Sequence, residues 1–115
     1  MSAVKFLLIL YPDAAALPGE GFDHDEFLAA AAETGELISG HVLADPSISS
    51  VVKVRDGVVS VTDGPYLRGP DHVACQYLID CESRARAVEL AALISSAPQG
   101  GVEVRPLMDS AGMEM

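Results

Sequence analysis

Val4 to Tyr11 (VKFLLILY) is almost continuously apolar, the pattern of a central strand covered on both faces, with Lys5 near its start. Asp13 to Gly21 is rich in Ala, Pro and Gly and reads as a loop. A helix over Asp23 to Thr34 follows, with a complete start signal. Asp23 as N-cap puts Glu26 at the third helical position for a capping box, and Phe22 and Phe27 at the two ends of a hydrophobic staple. Gly35 falls where a left-handed residue closes a helix. Glu36 to Leu43 reads as a second strand, ended by Asp45-Pro46.

Val51 to Tyr66 (VVKVRDGVVSVTDGPY) is the most directive stretch. Asp56-Gly57 between β-branched runs predicts a hairpin, because a type I′ turn needs positive φ at both central residues. Val51 to Arg55 and Val58 to Thr62 are its strands, and Asp63-Gly64-Pro65 ends it and opens a loop from Tyr66 to Asp71. His72 to Asp80 alternates as a fifth strand, with Val73, Cys75, Tyr77 and Ile79 on the more apolar face and His72, Ala74, Gln76 and Leu78 on the other. A second helix runs from after Ser83 to before Pro98, with Ala87, Leu90, Leu93, Ile94 and Ala97 as its inner stripe and Arg84 and Arg86 in its first turn. Val102 to Met108 supplies the last strand, and the tail from Asp109 is expected to fray.

The order β-α-β-β-β-β-α-β predicts an α+β domain over residues 1–115: a ferredoxin-like split βαβ with an inserted β-hairpin and both helices on one sheet face. Such a sheet leaves its other face bare. A second copy across a two-fold axis would cover it, so a homodimer is expected.

Composition narrows the partners. Seven Lys and Arg against seventeen Asp and Glu give a formal charge of -10, which disfavours binding to nucleic acid or to an anionic membrane. Ala3 to Leu10 is too short to span a bilayer and lacks a basic lead-in, so a cytoplasmic protein is expected. Cys75 and Cys81, about 20 Å apart along a straight strand, read as buried thiols rather than a disulfide. There is no CxxC, HExxH, GxGxxG or GxxxxGK pattern, so neither a metal nor an organic cofactor is expected.

The candidate chemistry rests on three histidines and the loop after the hairpin. His24, at the start of the first helix, stands beside exposed backbone N–H groups, a position that suits a general base. Asp63 either stabilises its turn or takes part in catalysis, and the Tyr66 phenol either donates to a ligand carbonyl or fills an aromatic pocket. His41, on the strand face of Leu37, Ser39 and Leu43, points into a cleft or a dimer contact. His72 and Gln76, on one face of the fifth strand, would line a polar pocket wall as substrate-binding residues. Arg55 and Arg105 read as ion-pair residues of the sheet.

Gly35-Glu36-Leu37, Gly40, Val54-Arg55-Asp56-Gly57, Val61-Thr62-Asp63-Gly64-Pro65-Tyr66 and Val102-Glu103-Val104-Arg105-Pro106 resemble the YCII-related proteins of the DGPF (Asp-Gly-Pro-Phe) type over nearly the whole chain. The resemblance implies a dimeric α+β barrel similar to muconolactone isomerase. It implies lyase or dehalogenating activity for some members and, for many bacterial ones, genes beside or fused to extracytoplasmic-function sigma factors. His24, eleven residues before Gly35, matches a histidine that in YCII-related enzymes is paired with an aspartate. The chain departs from the pattern where Tyr66 replaces Phe, and where Leu67-Arg68-Gly69-Pro70-Asp71-His72 and Ala74-Cys75-Gln76-Tyr77 replace a charged run and a Gly-Gly-Tyr.

Two functions are therefore expected as alternatives. One is a cofactor-independent lyase or isomerase, with His24, Asp63 and Tyr66 as catalytic candidates, moving a proton beside the carbonyl of a small aromatic or polyketide-like compound. The other is a dimeric accessory module without catalysis, which binds a protein partner such as a sigma factor or senses a metabolite.

Overall fold

The computed structural model describes residues 4–12, 22–67, 72–96 and 100–108. Strand β1 (Val4–Tyr11) leads through a two-residue strand β2 (Phe22–Asp23) to helix α1 (Asp25–Glu33) and strand β3 (Leu37–Val42). A 3-10 turn at Pro46–Ile48 precedes the hairpin β4 (Ser50–Arg55) and β5 (Val58–Asp63). Strand β6 (Cys75–Cys81), helix α2 (Arg84–Ala92), the two-residue strand β7 (Ser95–Ser96) and β8 (Gly101–Pro106) complete the fold.

The main sheet has the order β3-β6-β1-β8 and is antiparallel throughout. Each helix bridges two strands that are separated by a third, the split βαβ arrangement the sequence predicts. Both helices pack on the sheet face formed by Phe6, Leu8 and Leu10 of β1 and by Cys75, Tyr77, Ile79 and Cys81 of β6. Phe27, Leu8, Leu10, Ile79 and Leu90 are fully buried there, each contributing about 1.5–3 kcal/mol by leaving water. Lys5, Leu7 and Ile9 face away from the helices; on that side Ile9 is still buried, at 6% exposure, while Leu7 is half-buried and Lys5 exposed.

Several boundaries differ from the sequence expectation. The N-cap of α1 is His24 rather than Asp23, because His24 already has helical backbone angles and its carbonyl accepts from Leu28 N–H at 2.8 Å. Asp23 caps from one step outside, its Oδ1 accepting from Asp25 N–H at 3.1 Å. The other end closes as expected: Gly35 has φ +79°, its N–H donates to Ala32 O, and Glu36 N–H donates to Ala31 O, a Schellman closure. Ser83 caps α2 by accepting from Arg86 N–H at 3.2 Å, and the helix stops at Ala92, so Leu93 and Ile94 reach the core from the turn after it.

A bulge between Leu37 and Ser39 corrects the face assignment in β3. Leu37 pairs with Ile79 on the helix side, whereas His41 pairs with Gln76 on the opposite side, so the two do not share a face. His72 does not begin a strand, since β6 starts at Cys75. The two short strands β2 and β7 pair with each other and tie the entrance of α1 to the exit of α2. The Asp13 to Gly21 loop, the tail from Asp109, residues 68–71 and Ala97 lie outside the described residues, as does the side chain of Phe22, one half of the expected staple.

The hairpin forms as predicted, with φ +52° at Asp56 and +79° at Gly57. It does not join the main sheet but stands as a separate two-stranded ribbon, closed at its root by Gly64 N–H donating to Ser49 O at 2.7 Å. Among the described residues no helix is long and apolar enough to cross a membrane.

Candidate active site

Tyr77 lies on the inner face of β6, and its position depends on the strand beside it. Gly40 is its register partner in β3, and a Cβ on Gly40 would lie 2.5 Å from Tyr77 Cε1. With no side chain there, the Tyr77 ring lies across the β3 backbone. It packs against Phe27, ring centres 4.8 Å apart, while its hydroxyl reaches the start of α1. There Tyr77 Oη and His24 Nδ1 lie 2.6 Å apart, with the rings edge to face. A cap position on α1 and an inward position on β6 thus bring together two side chains 53 residues apart in sequence.

The surroundings fix the protonation of the phenol. Tyr77 is only 7% exposed. Burial, followed by the neighbouring Cys75, pushes its pKa up to about 12, so the hydroxyl keeps its proton at neutral pH. The Cys75 thiol is likewise pushed up by burial, with its hydrogen bond to Tyr77 acting the other way. Two proton placements satisfy the short contact: the phenol donates to Nδ1, or Nδ1–H donates to the phenol oxygen while the hydroxyl turns toward Cys75. In either placement the phenol keeps its proton and fixes the orientation of the imidazole.

The other sequence candidates are distributed over three places. His41 and Gln76 sit opposite each other on the sheet face turned from the helices. Asp63 ends β5 at the ribbon root and is exposed; the turn there is closed by Gly64 rather than by the Asp63 side chain. Tyr66 is 72% exposed, with Lys53 Nζ 5.5 Å above its ring, so it fills no aromatic pocket. His72 helps to line an open cavity of about 400 Å³ at the ribbon root, walled by Leu43, Pro46, Ile48 and Pro65 and facing Asp45. The Asp45 carboxyl is held below its usual range, first by Ser47 N–H and more weakly by His72. His24 is therefore joined to Tyr77 and not to Tyr66 or Asp63.

Tyr77 is the residue that sequence reasoning passed over. Its alternation marked it as core, and the signal that could have singled it out is Gly40, a side-chain-free position on the neighbouring strand. Arg105 pairs with Glu103, as a sheet ion pair. Among the described residues no group of three or more His, Cys, Asp and Glu is placed to hold a metal ion. No protein-family model matches the chain, and no curated protein matches it.

Proposed function

We propose that the chain is a cofactor-independent lyase or isomerase that moves a proton at a carbon next to the carbonyl of a small aromatic or polyketide-like compound. His24 takes the proton from the substrate carbon and returns it, and the Tyr77 phenol, which keeps its own proton, holds the imidazole at a fixed angle. The reading rests on one observation, the 2.6 Å contact between an imidazole at a helix start and a phenol kept protonated by burial. The likeness of the Asp-Gly-Pro and Gly35 to Gly40 segments to DGPF-type proteins supports it, as does the place of His24 in that pattern. The active species is a homodimer, as the resemblance to DGPF-type proteins implies.

The test is hydrogen exchange in D₂O, followed by NMR, on a panel of cyclic ketones and aromatic 1,3-diketones. The wild-type chain accelerates exchange on at least one of them. His24→Ala loses about 10²–10⁴-fold, the usual worth of a positioned acid or base, and Tyr77→Phe loses less. Equal exchange by the wild type and His24→Ala on every compound sinks the enzyme reading.

The accessory reading has its own support in the exposed valines of the ribbon, a surface suited to a protein partner. It requires a partner whose affinity, measured by calorimetry against a candidate sigma factor, is unchanged in His24→Ala and lost when the ribbon valines become charged.

A further inference from the structure

The cavity at the ribbon root is built from two parts of the fold. One wall is the end of β3 and the approach to β6, where Leu43 N–H donates to Ala74 O at 2.8 Å and holds the Leu43 segment against His72 and Val73. The other is the ribbon root itself, with Pro46 and Ile48 of the 3-10 turn and Pro65 after β5. The bond from Gly64 N–H to Ser49 O closes that wall. The space between them, about 400 Å³, falls within the range of small-molecule sites.

The walls are mainly apolar, and they are open to water. Leu43 is 43% and Ile48 71% exposed, so a hydrophobic body placed between them covers area that the fold alone leaves wet. Among the lining residues Asp45 alone carries a formal charge, and no Lys or Arg accompanies it. One carboxylate oxygen of Asp45 accepts from Ser47 N–H at 2.9 Å, which fixes the side chain. A carboxylate has room for further donors. His72, half-buried in the same lining, lies close enough to Asp45 to act on its charge.

We propose that this cavity is a second ligand site, for a small molecule with an apolar body and one ammonium group, which Asp45 binds while the body lies between Leu43, Ile48, Pro65 and Val73. Charge selects the cation. An anionic ligand would meet both Asp45 and a chain of net charge -10, whereas the same field draws an amine toward the site. The lining includes neither His24 nor Tyr77, so the site is independent of the proton-transfer reading. Because its walls belong to both sides of the ribbon root, a bound molecule also bridges the ribbon to the main sheet, with which it has no strand pairing.

The experiment is an NMR titration of the full isotope-labelled chain at neutral pH with three compounds of similar shape and different charge: phenethylamine, phenethyl alcohol and phenylacetate. Phenethylamine shifts the backbone amides of Ile48, Ser49 and Val73 in a saturable way, phenethyl alcohol does so at higher concentration, and phenylacetate is the weakest. Asp45→Asn keeps an oxygen that accepts from Ser47 N–H, so the turn stays formed. It weakens phenethylamine by about fivefold, the upper end for an exposed ion pair, and leaves phenethyl alcohol unchanged. Ile48→Ala, at a position already exposed, weakens both, and His24→Ala weakens neither.

The absence of shifts at these amides up to about 10 mM, a range that reveals even a millimolar affinity, overturns the site. Shifts centred on His24 and Tyr77 instead overturn it as well. Phenylacetate binding as tightly as phenethylamine, or an Asp45→Asn chain with full affinity for the amine, overturns the assignment of an ammonium ligand.

Discussion

Gly40 stands directly across the β3–β6 pair from Tyr77, and the tyrosine ring occupies the space that any other residue at position 40 would fill. That empty position lets the phenol reach His24 from an inward-facing strand site. One methyl group at Gly40 is enough to disturb the candidate site.

Gly40→Ala should destabilise the chain by about 1–3 kcal/mol, the usual result of overpacking a close contact, because the obstacle is a ring held by Phe27. Urea titration measures the loss, and activity should fall with it. Removing the ring in Gly40→Ala/Tyr77→Leu should restore part of the stability and none of the activity. If Gly40→Ala alone keeps wild-type stability and activity, the packing account is wrong.

Tyr77 should mark the alkaline limit of the fold. Its pKa is raised from 10.0 to about 12, so its protonated form stabilises the native state fully below pH 10. That contribution is lost as pH rises toward 12, because the unfolded chain ionises first. The loss across this window is on the order of 2–3 kcal/mol. Tyr77→Phe should lack this part of the pH dependence when unfolding is followed by circular dichroism between pH 9 and about pH 12.

Glu36 should contribute on the acid side. Its carboxylate accepts from Arg86 Nε at 3.0 Å and Nη2 at 2.9 Å and from the Thr34 hydroxyl at 2.6 Å, fixing the start of β3 to the first turn of α2. The Arg86 bonds chiefly hold the Glu36 carboxyl below its ordinary value, while burial opposes them. A depressed carboxyl stabilises the native state above its unfolded pKa, and the effect disappears as pH falls through the folded one. Glu36→Gln should therefore lower the melting temperature at pH 7 and match the wild type at strongly acidic pH. An equal deficit at both would point to packing instead.

Ser83→Ala should cost about 1 kcal/mol, because it removes the hydroxyl that accepts from Arg86 N–H at the start of α2. Ser83→Asp should recover most of it. Denaturant midpoints of the three chains give the comparison, and an Ala variant as stable as the wild type would exclude a capping role.

Much of the fold was legible because its signals are local. Asp56-Gly57 specified the ribbon turn, Gly35 the end of α1, Ser83 the start of α2, and the alternation from Cys75 to Ile79 the buried side of β6. The errors arose where a short-range rule met a longer-range one. Asp23 has the chemistry of an N-cap, yet the cap moved to His24 while Asp23 closed the turn before it. A single extra residue at Ile38 reversed the face of His41 relative to Leu37, and alternation cannot register such a bulge. At the site the sequence pointed to His24, but it paired that residue with the loop around Asp63 and Tyr66 and read Tyr77 as core.

The sequence by itself determined the main elements, their order and the inward face of β6, because turn geometry, capping and periodicity act over a few residues. The tertiary structure alone decided that the ribbon stands apart from the main sheet and that His24 meets Tyr77. The reason is register: pairing β6 with β3 sets Tyr77 against Gly40, and only that alignment, between segments distant in the chain, carries the phenol to the start of α1.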